Sequence, residues 1–295
     1  MSLRRYRQPS RSGLARATLV LLLPLATFAA GIAPGNAQDA LERIKESDQV
    51  TVAIADEAPY GYRDAAGRAT GEAPEIARVI LRRIDPEIEI EWVSTDFGQL
   101  IPGLRNGDFD IAAAGMFITP ERCAAVAFSE PTYVVGEAFA VRRGNPKKLT
   151  DYQTISDNED ARVGLIAGTV EYNYALVTGI PADRAPLYRS FRKAIEALAV
   201  GEVDAVGLTS LSVQSLIAGK PDLEATPQFF PNLDGEVVKG YGGFAFRQED
   251  EALLEAFNEE LSEFVGSDEH WALVQPFGFG PDMAPDMTTA ELCPE

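Results

Sequence analysis

The chain has 295 residues, 46% of them hydrophobic, enough for one large core or two smaller ones. Its 26 lysines and arginines stand against 45 aspartates and glutamates, a net charge of -19 that argues against nucleic acid or an anionic membrane as partner. One histidine, His270, and two cysteines leave little for a transition-metal site or for histidine catalysis, so neither metal nor cofactor is expected.

Residues 1–37 read as a cleavable export signal. Arg4, Arg5, Arg7, Arg11 and Arg16 form a basic start, and Ala17 to Ile32 is an uncharged apolar run. Gly35-Asn36-Ala37 supplies the small residues a signal peptidase reads, which places cleavage after Ala37. The arginine pair Arg4-Arg5 sits in poor context for a twin-arginine signal, so a Sec signal is expected. The apolar run is short for a membrane span, and no later stretch of comparable length is apolar throughout. Cleavage removes five arginines and no acid, taking the net charge from -19 to -24. The mature protein is expected to be periplasmic.

A short amphipathic helix, Ala40 to Lys45, precedes a strand at Val50 to Ala55. A loop follows from Asp56 to Tyr62, then a turn at Asp64 to Gly67, a helix from Glu72 to Ile84 and a strand from Ile88 to Val93. Next come a helix from Phe97 to Asn106, the turn Gly107-Asp108, and a run of small and apolar residues from Ile111 to Gly115 that reads as a buried strand. Gly115 allows close backbone approach. Thr119 reads as a helix N-cap with Pro120 at the first helical position, where its missing N–H costs nothing. Backbone donors, a helix start and Arg122 therefore gather at one point, a receptacle for a carboxylate.

The second half repeats the first. Arg162 to Ala167 matches the first strand, and Phe191, Leu198, Gly201 and Asp204 each stand 94 positions after Phe97, Leu104, Gly107 and Asp110. At that offset Thr209 falls opposite Gly115. Asp110 and Asp204 share a Gly-x-x-Asp position that reads as structural in both halves. The fold class is α/β, two lobes, each a mostly parallel sheet flanked by helices, with ligand loops at the carboxyl ends of the strands. A lobe boundary is expected near Arg143 to Pro146, after a strand Glu137 to Val141. A strand Gly243 to Phe246 and a helix from Glu249 to about Val265 cross back. The expected lobes are 38–143 with 247–295, and 144–246, joined by two hinge crossings. Cys123 and Cys293 can form a disulfide in an exported protein, worth about 5 kcal/mol in the chain-entropy model; two free thiols are the alternative.

The order of elements, the Thr-Pro-Glu-Arg turn and the two crossings resemble the polar amino-acid-binding family of ABC-transporter solute receptors, over about Asp39 to Glu295. The stretches Glu57 to Tyr62, Gly71 to Ala77, Ala113 to Cys123, Pro276 to Phe279 and Thr288 to Cys293 resemble the ectoine/hydroxyectoine-binding branch. The resemblance implies a type II periplasmic-binding-protein fold that closes on a solute. Amino-acid receptors usually carry a small hydroxyl residue where Phe117 stands and an ammonium-binding aspartate where Thr209 stands. Both departures favour a delocalised cation over an α-ammonium.

The expected ligand site is Glu57, Tyr60, Phe97, Phe117, Arg122, Thr169 and Thr209. Three aromatics make a box, Glu57 neutralises the cation, Arg122 grips a carboxylate and Thr169 adds a hydroxyl from the second lobe. Plain packing of the rings, an ion pair of Arg122 and ordinary capping by the threonines are the alternatives. Met116, Tyr172 and Tyr174 read as packing or rim residues. The expected function is an extracytoplasmic receptor, monomeric and not an enzyme, that carries a small zwitterion such as ectoine or hydroxyectoine to a cognate ABC permease. A polar amino-acid receptor is the nearer alternative, and a periplasmic dehydratase with Glu57 as general acid the farther. A receptor feeding a sensor rather than a permease reads the same.

Overall fold

The computed structural model describes residues 39–294. The expected signal segment and its cleavage point lie outside the described residues. The described residues form one compact unit built on two main sheets.

The first sheet starts with β1 (Gln49–Ile54), flanked in parallel by β2 (Glu89–Ser94) and β3 (Ile111–Phe117). The amphipathic helix Glu72–Ile84 links β1 to β2 and buries Ile76, Ala77, Ile80 and Leu81, a spacing of three and four that makes one apolar face. Its bounds match the sequence reading. The chain then passes through β4 (Tyr133–Val135) and enters β5 (Glu137–Arg142).

The second sheet repeats the first. β6 (Val163–Ile166) is flanked in parallel by β7 (Leu187–Tyr188) and β8 (Ala205–Thr209), and β9 (Leu223–Ala225) pairs with β5 on the far edge. β10 (Gly240–Phe246) lies antiparallel to β3, and β5 lies antiparallel to β8. Each sheet thus joins three parallel strands to an antiparallel strand delivered by a crossing, with short strands beyond it.

These pairings correct the expected boundaries. β5 hydrogen-bonds into the second sheet, so the first crossing falls at Gly136 and not near Arg143. β10 belongs to the first sheet along its whole length, so the return falls just before Gly240 and not after Phe246. The apolar pattern of both strands is continuous, and nothing in such a pattern says which sheet a strand will join.

The repeat holds at the level of single atoms. Gly107 and Gly201 end their helices in the left-handed region, with φ of 77° and 80°. Asp110 accepts the Thr51 amide of β1 and ion-pairs with Arg247, while Asp204 accepts the Arg162 amide and ion-pairs with Arg142 and Lys147. Both aspartates tie a strand start to its neighbour, the structural role read for them.

Cys123 and Cys293 are joined in a disulfide that closes a sequence separation of 170 residues. It fixes the Thr289–Leu292 segment against the short helix Pro120–Cys123, beside the Thr289 hydroxyl bond to the Ser129 carbonyl. Replacing both cysteines by serine should lower stability by about 2–5 kcal/mol, a fall in Tm of roughly 10 °C for a domain of this size. Mass spectrometry of the unreduced protein should find two protons fewer than after reduction; an unchanged mass would refute the bond.

Candidate functional site

The carboxyl ends of β1 and β3 face the helix starts after β6 and β8, and the residues at these ends form a small cleft. Its walls are Glu57, Phe97, Gly115, Phe117, Arg122, Thr169, Val170, Glu171 and Thr209. Six of the seven expected site residues are among them. The enclosed space is about 20 Å³, on the order of one water molecule.

Arg122 is set by its local sequence. Thr119 caps the short helix, accepting the Arg122 amide at 3.3 Å, with Pro120 in the first turn. The guanidinium is buried. Its Nη1 donates to the Phe117 carbonyl at 2.8 Å and its Nη2 reaches the second lobe at the Gly168 carbonyl, 2.9 Å away. The Phe97 ring lies 5.6 Å from its central carbon. Among the described residues no carboxylate stands in ion-pair range of it. Burial pulls its pKa down, and the field of Glu171 partly opposes that.

Glu57 sits on a loop closed by mutual backbone hydrogen bonds with Gly61, at 3.0 and 2.9 Å. Its Oε1 accepts the Ser212 hydroxyl from the other lobe at 2.6 Å. Burial raises its pKa to about 8, with the Ser212 bond pulling the other way and the field of Glu171 adding to the rise.

The aromatic box is only partly as expected. Phe97 and Phe117 line the cleft, and Phe117 packs so closely on β10 that a Cβ at Gly240 would sit 2.1 Å from its ring. Tyr60 stands behind the lining. Gly115 adopts φ of 63°, and a Cβ there would meet the Tyr60 ring at 2.4 Å, so the ring packs on bare backbone beside Tyr133 and Phe279. The Tyr60 hydroxyl donates across the cleft to Thr209 Oγ1 at 2.9 Å. Thr209 also caps the Ser210–Ile217 helix, so one hydroxyl serves both capping and lobe contact.

Three participants were missed. Glu171 lines the cleft but, as an acid in the first turn of the Glu171–Val177 helix, reads in sequence as a dipole partner. Ser212 lies one turn into its helix, where only the fold brings it to Glu57. Gly168, with φ of 89°, lets the lobes touch: a Cβ there would lie 2.5 Å from the Gly98 Cα. The Gly-Thr turn was a usable signal for it. Met116 is fully buried, as read, and Tyr172 stands on a neighbouring groove with Asn173 and Leu176. His270 is buried between Phe264 and Trp271, outside the cleft.

Residues 50–280 match the model of the bacterial extracellular solute-binding proteins, family 3. A probable amino-acid ABC transporter periplasmic-binding protein, y4tE of Sinorhizobium fredii, is 36% identical over 86% of this chain and 85% of its own. The crystal structure of EhuB in complex with hydroxyectoine superposes with a TM-score of 0.79 at 36% identity, covering 87% of this chain and 98% of that one. A mutant of the arginine-binding protein ArgBP from T. maritima superposes at 0.69 and 28% identity, covering 80% and 98%.

Two outcomes follow from this geometry. A Glu57 carboxyl raised from 4.5 to about 8 favours folding most below its unfolded value, and that contribution fades as pH rises to about 8. Glu57→Gln should therefore flatten the fall of Tm between about pH 5 and 8; an unchanged profile would show that Glu57 is charged throughout. Gly168→Ala adds a Cβ both in a left-handed backbone and against Gly98, so it should hold the lobes apart. Small-angle scattering should give a larger radius of gyration for the variant, and identical curves would discount the glycine contact.

Proposed function

This chain belongs to the bacterial extracellular solute-binding proteins of family 3, receptors that deliver small solutes to an ABC permease, and on that premise we propose that its ligand is ectoine or hydroxyectoine. The observation that carries the reading is the buried Arg122 charge: its two terminal nitrogens bond to backbone carbonyls and the Phe97 ring lies against it. A ligand carboxylate supplies the counter-charge by two parallel hydrogen bonds. Phe97 and Phe117 add ring surface to the same cleft and Glu57 a carboxyl, which suits a cation spread over a small ring. The likeness to hydroxyectoine-bound EhuB supports the same choice.

Binding proceeds by the lobes parting about the crossings at Gly136 and before Gly240, then closing. Three contacts report the closed state: Tyr60 to Thr209, Ser212 to Glu57 and Arg122 to Gly168. The last must yield in part for a carboxylate to reach both guanidinium nitrogens. Each contact is replaceable by a ligand atom, so closure can be tied to occupancy. We read the protein as a receptor and not an enzyme, acting in the periplasm after signal cleavage. Glu171 shares the cleft with Glu57, so the preference for binding over acid–base chemistry rests on Arg122 and the rings.

A polar amino acid is the second reading, favoured by the name of the Sinorhizobium relative and by the carboxyl of Glu171 on the second-lobe wall. Calorimetry separates the two. Ectoine or hydroxyectoine should bind at micromolar Kd or tighter, about 8 kcal/mol, and common α-amino acids at least ~100-fold more weakly. Arg122→Ala should cost roughly 2–5 kcal/mol of binding with little change in the ligand-free Tm. Phe117→Ser should weaken ectoine, and Phe117→Ser with Thr209→Asp should move preference toward amino acids. Tight binding of arginine or glutamine by the unmodified protein, with ectoine ignored, would overturn the ligand while leaving the receptor role in place.

A further inference from the structure

Beneath the second-lobe wall lies a group of buried polar side chains that the ligand reading does not use. Glu137 opens β5 and is registered opposite Thr209 of β8, so both side chains stand on the same face of the sheet, at its cleft end. It is 2% exposed, and its Oε2 has no hydrogen-bond partner. Glu171, 3% exposed, reaches the cleft wall from the helix after β6, and its Oε2 is likewise unpartnered. The Tyr152 hydroxyl, from the Tyr152–Ser156 helix, is the third orphan, buried against β8 beside Gly207. Three unsatisfied polar atoms in one buried region are uncommon, and two of them are carboxyl oxygens.

We propose that Glu137 and Glu171 share one proton at neutral pH, so that the second lobe presents one negative charge and not two to the cleft.

Two unprotonated carboxylates in one buried region, each with an oxygen that has no hydrogen-bond partner, would repel with little screening; a carboxyl and a carboxylate do not. The same logic sets their tendencies. Burial, then the fields of Glu171 and Glu57, push Glu137 well above the usual carboxylate range. Burial also raises Glu171, with the Thr169 hydroxyl, its own backbone and Arg122 pulling the other way. The groups facing the pair from all sides are Glu57 and Tyr60 of the first loop, Arg122, Tyr152, and Tyr174 one turn after Glu171. Only Arg122 is cationic among them. One shared proton, with Glu57 neutral, leaves one carboxylate opposite Arg122, and the cleft is balanced.

The consequence is a charge filter, which deepens the proposed function and rests on the cleft being the ligand site. A zwitterion divides its ends between Arg122 and the single carboxylate. A ligand bringing a second positive charge draws the shared proton off: an O–H bond of the carboxyl breaks and the proton passes to solvent. Its affinity should then rise up to tenfold per unit of pH, while that of a zwitterion should follow Glu57 alone.

The test needs no ligand. Protein labelled with carbon-13 at the glutamate carboxyl is titrated by NMR, with Glu137→Gln and Glu171→Gln used for assignment. The pair should show two separate steps, one of them above the ordinary glutamate range, because coupled carboxyls lose their protons at least ~1 unit apart. In Glu137→Gln the Glu171 step should fall by at least about one unit, since its like-charged neighbour is gone and the new amide can donate to it. Both carboxyls titrating together in the ordinary glutamate range, or an unmoved Glu171 step in Glu137→Gln, would overturn the proposal. If Glu137→Gln fails to fold, the unmodified protein's two steps still decide it, with assignment from Glu171→Gln. Failure of ectoine to bind would sink the ligand assignment and leave this titration standing.

Discussion

A buried guanidinium whose two terminal nitrogens are satisfied only by carbonyls is the constraint around which this molecule is arranged. Desolvating Arg122 is costly, and the Phe117 and Gly168 carbonyls recover part of that cost by hydrogen bonding without supplying a full negative charge. Those carbonyls lie on different lobes, so the same side chain both attracts an anion and rests on the two surfaces that must separate to admit one. The β3 turn, the Thr119 cap and the disulfide all hold it in place. Cys123 follows Arg122 directly, and its bond to Cys293 anchors the far end of the short helix.

The cleft around that charge is made close by glycines. Gly115 lets Tyr60 stand behind the wall, Gly240 lets the end of the Phe117 ring meet β10, and Gly168 meets Gly98 with no side chain between them. Rings and backbone therefore meet at distances no Cβ would allow. The result is a cavity whose shape is set by backbone, and whose chemistry comes from a few side chains standing on it.

Much of this was legible in the sequence, for identifiable reasons. The Glu72–Ile84 helix was readable because its apolar positions repeat with the helical period, and the Thr119 cap because hydroxyl and proline stand in fixed order. The doubled architecture showed in Gly107 and Gly201, each forced by a left-handed helix end. What was not legible depends on pairing between distant segments. Strand pattern could not say that β5 joins the second sheet, nor that β10 belongs wholly to the first. Tyr60 is legible as part of the loop after the first strand, yet its place behind Gly115 follows from one backbone angle. Glu171 and Glu137 were passed over because an acid in a first helical turn, or at the head of a strand, has an ordinary surface explanation until burial removes it.

The crossings also set an order of assembly. β5 to β9 are consecutive in the chain, so the second sheet can complete itself as soon as that stretch has emerged. The first sheet cannot. β3 borders β1 on one side and has no neighbour on the other until β10 arrives, more than a hundred residues later. A chain delivered amino end first thus carries an unzipped apolar edge, Ile111 to Phe117, until the strand from Gly240 has been made. The strand that guards this edge from pairing with other chains is also the one on which Phe117 rests. The early half thus acquires its binding wall at the moment its exposed edge is closed.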